Sequence, residues 1–125
     1  WKQTKGYFGK LSAEQAQRCI NYLRMETDGL RADALDYQAE AALTLLGQIA
    51  TEQKRFELFE SLAAEMGSGE WPRIVEMVDR AMTSGKHILA RRVFEAALTS
   101  GAHREFLAGK FEQLKRGAWN PDPIR

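Results

Sequence analysis

The chain has 125 residues, of which 44% are apolar and 28% charged, and its formal net charge is +1. Those values suit one globular domain with a hydrophobic core and exclude whole-chain disorder. A single cysteine excludes an internal disulfide, and the longest uncharged stretch, residues 41–51, is far too short to span a membrane.

A cytoplasmic protein is therefore expected, with no membrane partner. There is no basic-then-apolar leader with a small-residue cleavage site. An opening Trp in place of Met reads as a fragment of a larger protein.

Residues 1–11 carry two glycines, interleaved aromatics and no helical period. They read as an arm or incoming linker that docks through Trp1, Tyr7 and Phe8. A helix over about 12–27 follows. Ser12 and Gln15 have the spacing of a capping box, in which each side chain satisfies the other residue's backbone N–H. Ala16, Cys19, Ile20 and Leu23 then recur at helical spacing, and Gly29 is expected to end the helix. Cys19 on that apolar face reads as a buried thiol, since a reactive one needs more basic company than Arg18.

From Leu30 to Met66 there is no proline and one glycine, while Leu35, Ala42, Ile49, Phe56 and Ala63 recur every seven residues. One long helix fits that phase. Two helices broken in the polar stretch Thr51–Lys54 fit better, because a helix of about 35 residues outruns a domain of this size. Asp28, Asp33, Asp36 and Glu40 read as acids in the first turns of a helix, where they suit the positive dipole end.

Beyond Gly67 the sequence repeats. Ala81-Met82-Thr83-Ser84-Gly85 returns as Ala97-Leu98-Thr99-Ser100-Gly101, and the same interval reaches Gly117 forward and Gly69 backward. The gaps predict helices over 70–83, 87–99 and 103–115. Trp71, Ile74, Val75 and Val78 form the apolar stripe of the first, with Pro72 in its first turn. Leu89, Ala90, Val93, Phe94 and Ala97 serve the second, and Phe106, Leu107, Phe111 and Leu114 the third. Each glycine is expected to be a helix C-cap in the left-handed conformation, which costs a residue with a side chain about 1 kcal/mol or more.

Two such beats make a unit close to the roughly 34 residues of a tetratricopeptide repeat. With Gly85 as the turn glycine, the small, aromatic and small positions of that motif's second helix fall on Ala90, Phe94 and Ala97. The segment "LARRVFEAAL" also resembles the second helix of half-a-tetratricopeptide repeats, a variant of RNA-processing proteins. Leu43, Leu46, Gly47 and Ala50 echo the motif's first helix. Val78 departs from the family's small residue, and Ala102 from its closing proline. The resemblance implies stacked antiparallel hairpins that share a core and offer a binding surface.

Residues that carry chemistry are sparse. His87 and His103 follow their turn glycines by two residues without further ligands at metal spacing. Ser84 and Ser100 lack a nucleophile elbow, and no glycine-rich phosphate loop occurs. Charge is uneven, with five basic and eleven acidic residues in 12–70 against eight and four in 86–125. Such an imbalance can steer a charged partner to one end.

The sequence thus predicts an all-α fold of five to six helices in stacked hairpins, a short α-solenoid. It comprises an arm (1–11), a single helical domain (12–117) and an extended tail (118–125). No catalytic, cofactor or metal site is expected, nor a small-molecule substrate. The predicted role is binding of another protein or peptide. The alternative is a nucleic-acid module in which basic residues meet phosphates and an aromatic stacks on bases. Arg91, Arg92, Arg104, Lys110 and Trp119 are the candidate partner-binding residues.

Overall fold

The computed structural model describes residues 8–99, 101 and 104–121. Among the described residues lie six α-helices and several short 3-10 turns, with no strand, so the fold is all-α. The chain divides into two compact units, one ending at Arg55 and the other beginning at Phe56.

In the first unit, α1 (Ala13–Ala32) packs against α2 (Asp36–Glu52). The predicted capping box starts α1. Ser12 Oγ accepts from the Gln15 N–H at 3.1 Å, and Gln15 Oε1 accepts from the Ser12 N–H at 3.0 Å. Ala16, Ile20, Leu23 and Thr27 form the buried stripe. The Thr27 hydroxyl donates to the Leu23 carbonyl at 2.7 Å, so its burial leaves no polar group unpaired. Cys19, expected to be buried, is half-buried at the edge of this stripe.

Helix α1 does not stop at Gly29 as the sequence suggested. Half-buried Leu30 extends the stripe by one more step. That burial outweighs the ~1 kcal/mol that glycine costs within a helix. The cap forms five residues later at Ala34, whose φ is 59°. There the Leu35 N–H donates to the Leu30 carbonyl at 2.8 Å and the Ala34 N–H to the Arg31 carbonyl at 3.0 Å, the Schellman pattern. The longer helix corrects a second expectation. Asp28 and Asp33 stand at the C-terminal end of α1, where the dipole disfavours acids, and only Asp36 occupies a first turn.

Helix α2 buries Ala39, Ala42, Leu43, Leu46, Ile49 and Ala50. It ends in the stretch Thr51–Lys54, where the break was expected. Lys54, at φ 54°, repeats the cap of Ala34, and the Arg55 N–H donates to the Ala50 carbonyl at 2.9 Å. The arm is held at this same end. The Gln53 side-chain amide donates to the carbonyls of Phe8 and Leu11, and Glu52 Oε1 accepts from the Gly9 N–H at 3.2 Å. Trp1 and Tyr7, the other expected anchors, lie outside the described residues.

The second unit holds α3 (Phe59–Met66), α4 (Trp71–Thr83), α5 (His87–Ala97) and α6 (Arg104–Lys115). The last three match the predicted spans to within two residues, the usual uncertainty of helix ends. Helix α5 is the centre, packing on α3, α4 and α6. Its Ala90, Val93, Phe94 and Ala97 are fully buried, among them the three positions that carry the repeat resemblance. The Phe94 ring stacks on Phe111 at 5.2 Å, and Trp71 meets Phe106 at 4.5 Å.

Gly85 caps α4 as predicted, at φ 75°, with the Lys86 N–H donating to the Ala81 carbonyl at 2.8 Å. Gly69 does not cap α3. Gly67 does, at φ 69° and ψ −176°, a region almost confined to glycine. Gly69 belongs to the 3-10 turn Ser68–Glu70, over which Gly101 passes. A Cβ at Gly101 would lie 2.9 Å from the backbone nitrogens of both Ser68 and Gly69. Counted from Gly67 the first step is two residues longer, and Gly101, four residues past the end of α5, does not cap that helix as expected but owes its place to this close approach and its φ of 98°.

Candidate functional site

The five residues picked from the sequence fall into two groups. Arg91 and Arg92 project from α5 into solvent, on the side away from its buried stripe, and Arg104 is exposed in the first turn of α6. None of the three makes an ion pair among the described residues.

Lys110 is buried and Trp119 half-buried. Lys110 is only 2% exposed, and its Nζ donates to the Asn120 carbonyl at 2.6 Å. Trp119 folds back from the end of α6, setting its ring edge-on to Phe94 at 5.7 Å and donating Nε1–H to Asp79 Oδ1 at 3.0 Å. The predicted tail thus turns inward at 119–120, and these two side chains hold it there. Burial keeps the Lys110 ammonium from solvent, and the Trp119 ring is already engaged by Phe94 and Asp79.

His87 is exposed in the first turn of α5, and Ser84 is the C-cap of α4. Ser100, Ala102 and His103 lie outside the described residues. No cluster of three His, Cys, Asp or Glu side chains fit for a metal occurs among the described residues.

Sequence reasoning missed the apolar side chains that stand in solvent. Tyr37 is 84% exposed, Met25 75%, Ile88 70% and Tyr22 63%. Open clefts adjoin two of them, Tyr22 and Ile88. One, of about 310 Å³, lies in the first unit between Phe8, Cys19, Tyr22, Leu23 and Leu45, with Arg18 at its rim. The other, of about 650 Å³, lies in the second unit beside Phe56, Ile88 and Leu89, where Lys86 Nζ sits 5.1 Å from the Phe56 ring centre. The signal for Tyr22 and Met25 was available, because the stripe 16, 20, 23, 27 is complete without them.

The first cleft is walled almost wholly by carbon, whereas the second adds Glu57, Lys86 and His87 to its apolar side chains. The chemistry of the first is apolar recognition, and that of the second mixes apolar contact with charged groups. Among the described residues no helix is long and apolar enough to cross a membrane. Comparison with protein families, with curated proteins and with solved structures finds no match to this chain.

Proposed function

We propose that this chain is a non-catalytic helical module, built of stacked hairpins in the tetratricopeptide manner, that binds another protein or peptide within a larger cytoplasmic assembly. The observation that carries this reading is the set of large apolar side chains held in solvent on helices. Tyr22 and Met25 on α1, Tyr37 on α2 and Ile88 on α5 are each more than half exposed. Large apolar side chains left in solvent are what a protein partner covers.

The nucleic-acid reading keeps Arg91, Arg92 and Arg104 as exposed cations. Its aromatic is engaged elsewhere, since Trp119 is spent on Phe94 and Asp79. Phosphate contacts alone give weak, salt-sensitive binding.

Affinity capture with the intact chain tests the choice, with the sample split into nuclease-treated and untreated halves and washed at low and at physiological salt. Retention of a protein through both treatments, lost in Met25→Glu or Ile88→Glu chains, is the expected result. Material lost on nuclease treatment, or released steeply as salt rises, would transfer the assignment to nucleic acid.

A further inference from the structure

The outward face of α1 carries a second stripe. Its inward stripe of Ala16, Ile20, Leu23 and Thr27 is satisfied by the fold. Tyr22, Met25 and Gly29 follow one another at i, i+3 and i+7, so they stand one above the other on a different face. Tyr22 and Met25 are exposed, and Tyr22 also forms one wall of the cleft with Phe8, Cys19 and Leu45.

Gly29 is the informative member. It lies inside a helix, its φ is not positive, and a Cβ built on it meets nothing within 4 Å. Neither a turn nor a packing contact within the chain accounts for a residue that weakens the helix. A glycine on a helix surface does allow a second backbone to approach closely.

Arg18, one turn before Tyr22, is paired with Glu14 at 2.6 Å, and beyond it the flanks of the stripe are acidic. Glu26 is one turn from Tyr22, Asp28 is three residues from Met25, and Asp33 closes the helix. Asp28 is paired with Arg24 at 2.7 Å, a surface pair that a better partner can replace. Glu26 and Asp33 make no ion pair among the described residues. Asp33 also stands where the helix dipole disfavours an acid, so helix stability does not explain its placement.

From this charge pattern and the unexplained glycine we infer that the Tyr22–Met25–Gly29 face of α1 docks a basic amphipathic helix of a partner protein. The partner's apolar stripe covers Tyr22 and Met25, its backbone crosses closest at Gly29, and its Lys or Arg side chains meet Glu26, Asp28 and Asp33. This deepens the protein-binding reading given above and rests on it.

The test is selection from a displayed library of helical peptides of random surface sequence, using the full chain as bait, followed by fluorescence polarisation with the enriched peptides. Enriched sequences should carry Lys or Arg on both edges of an apolar stripe. Met25→Glu and Gly29→Leu should each weaken binding by more than about tenfold, the loss typical of a hot-spot contact. Gly29→Leu strengthens the helix and meets open space, so unchanged or higher thermal stability separates lost docking from lost folding. Gly29→Ala should bind within about threefold of the parent, by the same affinity arithmetic.

Enrichment of acidic or neutral peptides, no enrichment at all, or indifference to the Met25 and Gly29 changes overturns the inference. So does sedimentation showing that the chain pairs with a second copy through this face. Peptides that ignore α1 but are lost with Ile88→Glu would sink the α1 site and leave the protein-binding reading standing.

Discussion

The indole N–H of Trp119 donates to Asp79 Oδ1 at 3.0 Å, tying the segment that follows α6 to the side of α4. The same indole rests edge-on against Phe94, the buried ring at the centre of the second unit. One side chain thereby links α4, α5 and the chain beyond α6. Truncating it should weaken the unit as a whole. Trp119→Ala should lower stability by about 2 kcal/mol, less than a fully buried Trp because the ring is half-exposed. Asp79→Ala should cost about 1 kcal/mol, and the double variant should cost less than the sum. Urea denaturation of the four chains gives the coupling directly. Additive losses would mean that the hydrogen bond contributes nothing.

The second prediction concerns caps made without glycine. Ala34 and Lys54 hold the left-handed conformation that Gly85 holds at the end of α4. Ala34→Gly and Lys54→Gly should each stabilise the protein by about 0.5–1 kcal/mol, the left-handed penalty less the extra freedom of glycine in the unfolded chain. Thermal unfolding followed by circular dichroism reads the change. A fall in melting temperature for both would show that these turns are not strained.

Gly85 and Gly101 should part company on substitution. Space around Gly85 is open, so Gly85→Asn meets only the left-handed penalty, which asparagine bears better than most, and the loss should stay under about 1 kcal/mol. At Gly101 the new Cβ meets backbone nitrogens that cannot swing aside. Gly101→Asn and Gly101→Ala should both cost about 2 kcal/mol or more, since backbone has to shift. Equal tolerance at the two sites in a denaturation series would contradict the close approach over Ser68 and Gly69.

The basic residues supply the fourth test. Arg91, Arg92 and Arg104 are exposed and free of ion pairs among the described residues, so alanine at each should move stability by under about 0.5 kcal/mol. Lys110→Ala should cost about 2 kcal/mol or more, because it empties a buried site and removes the donor to the Asn120 carbonyl. Comparable effects at all four positions would dismiss the division between surface and interior cations.

What the sequence made legible was local. Ser12 and Gln15 announce the start of α1 because a capping box needs only its own four residues, and Gly85 announces a cap in the same way. What it hid depends on residues brought from elsewhere. Gly29 looked like a stop, but burial of Leu30 carried the helix past it. Gly69 looked like a cap, but the turn beneath Gly101 claimed it. Lys110 was read by its charge. Its place three residues after Leu107 and four before Leu114 put it on the buried stripe of α6, and that spacing was the better guide. The exposed Tyr22 and Met25 were passed over because a search for core residues counts apolar side chains without asking whether the core already has enough.

The clasp of Gln53 on the carbonyls of Phe8 and Leu11 has a topological consequence. The chain enters the first helical hairpin and leaves it at one spot, so the whole loop of α1 and α2 hangs from a single stem. A piece with adjoining ends can be spliced into an exposed loop of a host protein with little strain, or have its old ends joined and new ones opened at the Asp33–Leu35 bend. The α1–α2 hairpin is in that sense a transplantable cassette, able to carry its outward face to another scaffold.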